Sequence, residues 1–555
     1  MEKCIILSCM YVRLKHSKKA KHPTVQIVRG VRVGNKVRQE TIAHLGVVKG
    51  QKDLAKLRQL AESLLARLEK EGLEIDPKIR IKQLIHKMTV YDGFGLIVDQ
   101  FMNLTGFSKV IKQAQGRRQF DLEEVVKLII VQRLDLPSSK LRTQQRQTEH
   151  GFSEIDLQNM YRAMDAIEPL SRAFQQKAFD TVRAYSSGFV DCFFFDVTTL
   201  YFESVEQDEL KEFGFSKDQK HHSVQVVLAL VVDSEGNPLG YEVFKGNLAE
   251  TKTLIPVFER LKKDFSINNV TVVCDRGLAS KTNIEALQNS KFRFVIASKL
   301  RSISKNLKLN DRLLCNPLPN QMHLPEEERV LFRTLPHPQY SDTLLIVTYS
   351  PSRAAKDKED RERLLEKLRE KLDSSSNEAS LKKVISNAGY KKYTNIKKGS
   401  SLELNQKTID EDALWDGFHG IAVSNNAGLT VEQALSRYKE LWHVEEAFRI
   451  AKCTLKTRPI FHWKPHRIRS HVLLCFLTLF IERFLEFRLR QEGTPLTPDR
   501  IRHALNGVHT TIFEEKDTRR EGKMESALSE DAGKIFKLLG LSINRATSLG
   551  QKCCA

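Results

Sequence analysis

The chain has 555 residues, of which 41% are hydrophobic and 28% charged, and this composition predicts a folded protein with several domains rather than a single core. Lysine and arginine number 89 against 69 aspartate and glutamate residues, so the formal net charge is +20. An excess of this size favours a polyanionic partner.

Local composition disfavours two classes of protein, the secreted and the membrane-spanning. The nine cysteines are scattered without a CxxC pair at zinc-ligand spacing, which indicates a reducing compartment, and we expect a cytoplasmic protein. The N-terminus lacks an apolar run of signal-peptide length. The longest apolar run, Val472–Ile481, is shorter than the ~20 residues that span a bilayer. That run predicts a buried core helix.

The N-terminal part of the chain predicts a basic β-rich segment and then a helical region. Thr24–Val33 and Lys36–Ile42 alternate as strands do, and a Gly34-Asn35 turn would join them into a basic hairpin. From Leu54 onward, leucines fall at helical spacing among charged residues, which predicts an amphipathic helix. Helical patterns continue to about residue 185, and Asp121 is the predicted N-cap of one of them.

The pattern then changes to strands and helices, and their order predicts an α/β fold. Three strands in a meander come first, and crossovers through helices follow. The predicted strands are 190–196, 223–232, 239–245, 270–274 and 293–297, and the predicted helices between them are 251–263 and 280–288. A charged stretch that includes a predicted helix, 356–372, then interrupts this order, and an insertion is the simplest account.

Six segments make up the predicted organisation of the chain. They are a basic β-rich N-terminal segment (1–50), a helical region (51–185), the first part of an α/β domain (186–300), an insertion domain (301–405), the second part of the α/β domain (406–495) and a weakly patterned C-terminal region (496–555). The strongest functional signals lie in the two parts of the α/β domain.

Three carboxylates of that domain form a candidate catalytic site. Asp196 and Asp275 each close an apolar run and are predicted at the ends of buried strands, and Glu445 lies on a predicted helix, 430–452. Two Mg²⁺ ions roughly 3.5–4 Å apart need rigidly held oxygen ligands, and strand ends hold side chains rigidly. The three acids are therefore predicted to bind two Mg²⁺ or Mn²⁺ ions and to act on a phosphate backbone.

Glu445 has two neighbours at regular spacing on its predicted helix. Tyr438, Glu445 and Lys452 are seven residues apart, which is almost two turns, so a single helix would place them in one stripe. The lysine suits a phosphate, and the tyrosine can stack or donate a hydrogen bond. For this helix alone, an ordinary charged surface is the better interpretation. Together with the two aspartates, a functional site is favoured.

The same helix is similar to the YREK signature of DDE transposases from bacterial insertion sequences. Tyr438, Glu445 and Lys452 match the Tyr, Glu and Lys of the signature, and Trp442 stands where the family also has an aromatic residue. Leu441 stands at the arginine position, which is a departure from the family. The resemblance implies that Glu445 is the third catalytic acid.

The resemblance also implies which side chains near Glu445 contact DNA. The predicted DNA-binding residues are Tyr438, Trp442, Arg449 and Lys452. Arg437 and Arg449 are the two candidates for the charge that is missing at position 441. Asp196, Asp275 and Glu445 take the catalytic and metal-binding roles.

Fold and partners follow from the resemblance as expectations. It implies a ribonuclease H-like mixed sheet with the two aspartates on adjacent strands, interrupted by the insertion domain before Glu445. The expected partners are the terminal inverted repeats of an element and its target DNA, with a homodimer in the synaptic complex. From its position and charge, we expect the helical region 51–185 to bind the DNA ends.

Three hypotheses about function are consistent with these residues. The leading one is a transposase that cleaves DNA strands at element ends and transfers them into target DNA by two-metal chemistry. The second is a transposase-derived DNA-binding protein that no longer cleaves, and the presence of all three acids disfavours it. The third is a ribonuclease H-like nuclease without strand transfer. Inverted repeats bracketing the gene would favour the first.

Overall fold

The chain folds into two compact units in a computed structural model. Unit 1 comprises Met1–Lys177, Thr454–Lys456 and His466–Ala555, and unit 2 comprises Ala178–Cys453 and Thr457–Pro465. The structure describes residues 10–16, 22–33, 36–70, 84–186, 190–216, 220, 222–267, 270–301, 303, 320–322, 330–374, 388–396, 402–515, 519, 521–542 and 547–549. Over these residues, no helix combines the length and the apolar character that crossing a bilayer requires.

Helices and strands occur in both units. The strands are β1 (Met10–Lys15), β2 (Thr24–Val33), β3 (Lys36–Val47), β4 (Leu84–Val90), β5 (Cys192–Tyr201), β6 (Gln225–Val232), β7 (Pro238–Lys245), β8 (Thr271–Cys274), β9 (Arg293–Ala297), β10 (Asn320–Met322), β11 (Val330–Pro336), β12 (Thr343–Tyr349), β13 (Thr394–Ile396), β14 (Leu402–Leu404), β15 (Phe418–Ser424), β16 (Thr510–Glu515), β17 (Glu521–Glu525) and β18 (Thr547–Leu549). The helices are α1 (Gln51–Lys70), α2 (Gly93–Leu104), α3 (Phe107–Ala114), α4 (Leu122–Asp135), α5 (Lys140–Arg146), α6 (Leu157–Ile167), α7 (Ser171–Tyr185), α8 (Leu254–Phe265), α9 (Lys281–Asn289), α10 (Pro351–Ser374), α11 (Ala388–Lys392), α12 (Gln406–Ala413), α13 (Val431–Lys439), α14 (Trp442–Arg449), α15 (Pro465–Gln491), α16 (Pro498–Asn506) and α17 (Glu530–Leu538).

Unit 1 begins with an antiparallel sheet in the order β1-β2-β3. Helix α1 packs on this sheet, and the core between them includes Val25, Ile27 and Ala61. The predicted pairing of strands in a hairpin is confirmed, although β3 continues past Ile42 to Val47. The predicted Gly34-Asn35 turn lies outside the described residues.

The helical part of unit 1 surrounds α15, which is buried along most of its length. Phe484 packs edge-on against Phe101 at 6.0 Å between ring centroids, and Phe480 packs against Phe107 at 5.7 Å. The prediction of a buried helix over Val472–Ile481 is therefore confirmed. These aromatic contacts explain its apolar sequence, since each fully buried ring contributes about 2–3 kcal/mol of transfer free energy.

The predicted N-cap at Asp121 is also confirmed in unit 1. The Asp121 carboxylate accepts hydrogen bonds from the backbone N–H groups of Glu123 at 2.8 Å and Glu124 at 3.0 Å. Two of the unpaired donors at the start of α4 are satisfied in this way. A local pattern was sufficient for this prediction because an N-cap depends on residues three positions apart.

A small sheet in unit 1 was not predicted. Its order is β18-β17-β16-β4, so a strand from the region read as helical joins strands from the weakly patterned C-terminal region. Thr510 pairs with Val90 and Glu515 with Leu84. Pairing partners more than 400 residues apart leave little signal in either local sequence, because strand propensity depends on tertiary context.

Unit 2 is built on one large mixed sheet, so the prediction of an α/β fold is confirmed. Its order is β10-β11-β12-β15-β9-β8-β5-β6-β7 in the described residues. The pairs β5–β8 and β8–β9 are parallel, and the other pairs are antiparallel. Strands β10, β11 and β12 come from the segment predicted as an insertion, and they extend this sheet through β15.

The prediction that Asp196 ends a strand is wrong. β5 continues to Tyr201, and Asp196 lies inside it, opposite Leu230 of β6. The continuation Val197-Thr198-Thr199 consists of β-branched residues, which favour an extended, paired backbone. By contrast, Asp275 directly follows β8, as predicted.

The prediction of one helix over 430–452 is also wrong. The segment forms α13 and α14, and a π-helical turn, Ile450–Thr454, follows. Helix α13 packs on β8 and β9, whereas α14 packs on β5 and β6. Between the two helices the backbone N–H of Leu441 donates to the carbonyl of Tyr438 at 3.2 Å and that of His443 to the carbonyl of Glu440 at 3.0 Å, so the α-helical pattern of hydrogen bonds is interrupted there.

Buried His337 is held neutral in unit 2. Its Nδ1 accepts the backbone N–H of Gln339 at 3.2 Å, so the proton of the neutral ring lies on Nε2, 3.3 Å from Ser298 Oγ. The ring also stacks on Tyr340, with centroids 4.4 Å apart. Burial lowers the pKa of His337 from 6.5 to about 4.

Acidification should therefore weaken unit 2 through His337. The unfolded chain binds a proton at this residue below pH 6.5, whereas the folded chain does so only near pH 4. The free energy of unfolding should thus fall as the pH decreases from 6.5 to 4, by up to about 3 kcal/mol. In urea unfolding curves, His337→Gln should lose this part of the pH dependence, and His222→Gln should retain it. Identical pH profiles for the two variants would contradict the assignment.

Candidate active site

Strand β5 carries apolar packing on one face and a candidate acid on the other. Phe195 packs against Phe258 of α8, with ring centroids 5.5 Å apart. Side chains alternate along a strand, so Asp196 shares the opposite face with Phe194. The Phe194 ring lies 6.2 Å from the ring of His443 on α14. Asp196 therefore projects from the face of the sheet on which α14 packs.

The register of β5 and β8 brings the two aspartates together. The strands are parallel, and Phe195 pairs with Cys274, so Asp196 and Asp275 hold the next pair of positions on the same face. Burial raises the pKa of the Cys274 thiol, and the charges of Asp275 and Asp196 raise this pKa further. Both carboxylates are therefore close enough to Cys274 to act on it electrostatically. Asp196 is half-buried and Asp275 is exposed.

Tyr438 connects α13 to the end of β8. Its hydroxyl donates to Asp275 Oδ1 at 3.4 Å. Burial raises the pKa of Tyr438, and the neighbouring Asp275 charge raises it further, so the phenol stays protonated at neutral pH and remains a donor. Its ring lies 5.0 Å from that of His419 on β15.

His419 contributes a neutral ring to this neighbourhood. Burial lowers the pKa of His419 to about 4, and the charges of Arg353 and Arg276 lower it further, against the opposing effect of Asp275. The imidazole is therefore uncharged at neutral pH. Because the His419 ring is uncharged, it adds no positive charge beside Tyr438, and Arg353 and Arg276 are the cations that act on it.

A cleft of about 730 Å³ contains both Asp275 and Glu445. Residues of α13, α14 and α10 line it, among them Tyr438, Lys439, Leu441, Trp442, Arg353, Lys356 and Asp357. Glu445 is exposed on α14, and half of Trp442 is exposed. The structure thus places Asp275, Tyr438, Trp442 and Glu445 around one cavity.

A second cleft of about 790 Å³ shares a wall with the first. Asp275, Tyr438, His419 and Arg353 line both clefts. Its other basic residues are Arg276, Lys299, Arg301 and Arg361. Asp357, Asp360, Asp412 and Asp416 also line this cleft, and Arg301 and Arg361 pair with Asp412 and Asp416. The approach to Asp275 therefore carries charges of both signs.

The three acids are not assembled into a metal site in this structure. Among the described residues, no group of three or more His, Cys, Asp and Glu side chains could hold a metal ion. Asp196 lies in β5 and Asp275 directly follows the neighbouring strand β8, whereas Glu445 reaches the cleft from a separate helix. Three carboxylates repel one another without a cation.

Arg437 and Arg449, the two candidates for the charge missing at position 441, lie in different surroundings. Arg437 donates to Asp191 at 2.8 Å and to Glu440 at 3.3 Å, so its guanidinium is occupied by two ion pairs. Arg449 is exposed, 3.4 Å from Glu446. Neither lines the two clefts, whereas Leu441 itself is buried in the wall of the first.

Lys452 lies on the π-helical turn rather than on the stripe expected for a continuous α-helix. A π-helical turn contains more residues than an α-helical turn, so the angular position of Lys452 relative to Glu445 changes. Lys439, which a continuous helix would rotate away from the stripe, lines the first cleft. Tyr438 and Glu445 therefore reach the cleft from two helices, and Lys452 lines neither cleft.

Sequence reasoning missed Arg353, Lys356 and His419 as residues of this neighbourhood. Arg353 and Lys356 belong to the charged helix α10, whose composition is typical of a solvated surface. A local signal did exist for Arg276, because it follows Asp275 directly. No local pattern identifies the others, because pairing of β12 with β15 brings α10 to the site.

Two family models match the chain. Residues 188–481, more than half of its length, match the family described as transposase DDE domain. Residues 12–77 match the family described as IS1634 family transposase, N-terminal domain. The first match contains Asp196, Asp275 and Glu445, and the second contains strands β2 and β3.

Comparison with solved structures gives a weak similarity to piggyBac transposase, in a cryo-EM structure of its synaptic complex with hairpin DNA. The sequence identity is 11% and the TM-score 0.36, with 75% of this chain and 80% of that chain covered. A similarity this low assigns no role to any residue. Comparison with curated proteins gives no match.

Proposed function

The chain belongs to the DDE transposase family and is a DNA transposase of an insertion sequence of the IS1634 family, and from this premise we propose how its site works. The reaction is cleavage of DNA strands at the element ends followed by transfer of the freed 3′-OH ends into target DNA. Asp196, Asp275 and Glu445 are the proposed catalytic residues. The observation that supports this most directly is the register of β5 and β8, whose last pair, Phe195 and Cys274, directly precedes Asp196 and Asp275. Helix α14, which carries Glu445, packs on β5.

Divalent cations fit the donor set that these residues offer. Asp196 and Asp275 are oxygen donors at neighbouring positions, and hard cations such as Mg²⁺ and Mn²⁺ prefer carboxylate ligands. The proposed ligands of two ions are Asp196, Asp275 and Glu445. When bound, the ions would supply activation of the attacking oxygen and stabilisation of the leaving oxygen. The protein itself orients Asp275 through the Tyr438 hydroxyl.

The phosphate backbone is proposed to lie along the first cleft. Arg353 and Lys356 contribute positive charge from α10, and Lys439 contributes it from α13. Contacts of this kind fix the register of DNA without reading its sequence. Trp442, half exposed beside Glu445, can stack on a base. Arg449 and Lys452 remain proposed DNA contacts on α14 and the turn that follows it.

The catalytic domain is proposed to be ribonuclease H-like. An antiparallel meander of β5, β6 and β7 with parallel neighbours β8 and β9 supports this topology. An insertion domain between Asp275 and Glu445 is part of the proposal, and its predicted boundaries at 301 and 405 stay predictions. Residues 51–185 are proposed to bind the element ends, and the synaptic complex is proposed to contain a homodimer.

The carboxylates provide the first test of this chemistry. Asp196→Asn, Asp275→Asn and Glu445→Gln should each lower strand cleavage at least about a hundredfold, because an amide is a poorer metal ligand than a carboxylate. DNA affinity should change little, since phosphate contacts lie elsewhere. Cleavage of DNA carrying the element ends, with Mg²⁺ or Mn²⁺, measures the first effect, and fluorescence anisotropy measures the second.

A matched acid serves as the control for these variants. Glu411 is an exposed acid on α12, and Glu411→Gln should cleave at the wild-type rate. Wild-type cleavage by any one of the three site variants would refute the role of that acid. Cleavage by the wild type without joining to target DNA would favour a nuclease over the proposed strand transfer.

Helix α10 offers a second test with an internal control. Arg353 and Arg363 lie on the same helix, and each pairs with an acid four residues away, Asp357 and Glu359. Arg353 lines both clefts, whereas Arg363 lines neither. Arg353→Ala should slow cleavage roughly tenfold, the scale of one lost charge-assisted contact, and Arg363→Ala should not. Equal rates in single-turnover cleavage would remove α10 from the DNA path.

A further inference from the structure

The ring nitrogens of His419 are available to a molecule in the two clefts. His419 is half-buried on β15 and lines both clefts. Among the residues that the structure describes, no group forms a hydrogen bond with either ring nitrogen. The hydrogen bond that the residue does make uses its backbone carbonyl, which accepts the Thr348 hydroxyl at 3.4 Å.

The strand register places His419 on the face of the sheet that carries Asp275. Ala297 follows the last residue of β9 that pairs with β8, just as Asp275 follows β8 with its backbone still extended. Ala297 pairs with Ile421 of β15, and His419 lies two residues before Ile421. Alternation along the strands therefore puts these side chains on one face. Because β15 is antiparallel to β9, His419 lies roughly 7 Å further towards the carboxyl end of β9.

The His419 ring is held in place by Tyr438. The two ring centroids are 5.0 Å apart, and the ring planes are inclined at 40°. The Tyr438 hydroxyl in turn donates to Asp275 Oδ1 at 3.4 Å. Packing thus fixes the imidazole relative to Asp275 through one intermediate side chain. A side chain that is already fixed loses little conformational entropy when it contacts a ligand.

The imidazole offers one hydrogen-bond donor without a charge. Burial lowers the pKa of His419 to about 4, so the ring is neutral at physiological pH and has one N–H donor and one acceptor nitrogen. Phosphate diester oxygens only accept hydrogen bonds, so the N–H suits a phosphate. Arg353 and Arg276, whose charges act on the ring, attract the same group.

A neutral donor also suits a place where charges of both signs are present. Asp357, which lines both clefts, accepts the backbone N–H of Gly417 at 3.0 Å and lies 3.9 Å from Arg353. Arg301 and Arg361 are paired with acids of the second cleft. A neutral imidazole forms no such ion pair, so its N–H remains available for DNA.

We propose that His419 donates a hydrogen bond to a phosphate of the cleaved DNA strand next to the scissile phosphate. This inference rests on the proposed function, since it requires the strand to lie at Asp275. The displacement of His419 along the sheet from Asp275 favours a neighbouring phosphate over the scissile one. Such a contact positions the strand and reads no sequence.

The test compares variants of the full-length protein in single-turnover cleavage of DNA carrying the element ends, with Mg²⁺. His419→Phe keeps an aromatic ring beside Tyr438 and removes the N–H, so it should cleave about tenfold more slowly, the scale of one lost hydrogen bond to a charged group. His419→Asn and His419→Gln supply an amide N–H near the positions of Nδ1 and Nε2. One of these two should cleave faster than His419→Phe. The control His503→Phe, at an exposed histidine on α16, should keep the wild-type rate.

Modified DNA identifies the phosphate that His419 contacts. A methylphosphonate, in which a methyl group replaces one phosphate oxygen, is placed in turn at each phosphate flanking the scissile one. At one position it should slow the wild type about tenfold and His419→Phe less than about twofold, because the variant has no contact left to lose there. Arg353→Ala should remain sensitive at that position, which separates the imidazole contact from that of the arginine.

Urea unfolding establishes first which variants are folded, and the wild-type scan and the amide variants decide if His419→Phe is not. Folded His419→Phe that cleaves at the wild-type rate would overturn the contact and leave the proposed function intact. So would a wild type insensitive to every methylphosphonate, a variant as sensitive as wild type at each position, or two folded amide variants no faster than His419→Phe. A wild type that neither binds nor cleaves the element ends would overturn both.

Discussion

The parallel pairing of β5 with β8 is the constraint on which the candidate site depends. With Phe195 opposite Cys274, the next positions of the two strands are Asp196 and Asp275, and they share a face. A shift of one residue would turn Asp196 towards the face where Phe195 packs on Phe258. The phenylalanine run before Asp196 thus fixes the register through burial, and the acid takes its position from that packing.

Parts of the fold that depend on nearby residues were predictable from sequence, and parts that depend on distant pairing were not. The Asp121 cap and the buried helix over Val472–Ile481 each follow from a local pattern. The pairing of β4 with β16 joins segments more than 400 residues apart, and no local pattern records it. The break between α13 and α14 is of the same kind, because each helix follows a different pair of strands.

The candidate site also has residues that a local pattern suggests and residues that only distant strand pairing brings there. Asp196, Asp275 and Glu445 were identified from residue type and spacing, and the clefts bring Asp275 and Glu445 to one cavity. Arg353 and Lys356 could not be identified, because their helix reads as a solvated surface until β12 is paired with β15. The roles of the three acids stay predictions, and prediction of their charged surroundings required the pairing of the whole sheet.

The position of α10 beside the clefts follows from the end of β12. Strand β12 stops at Tyr349, which pairs with Phe418 of β15, and α10 starts at Pro351. The first turn of this helix therefore lies at the end of β12 where Thr348 and Ser350 line the first cleft. Arg353 lies in the first turn, beside Tyr438 and Asp275. The attraction between a cation and a phosphate depends on distance and dielectric, not on which helix supplies the cation. A cation on α10 can therefore attract a phosphate in the first cleft, although Leu441 in the wall of that cleft is apolar.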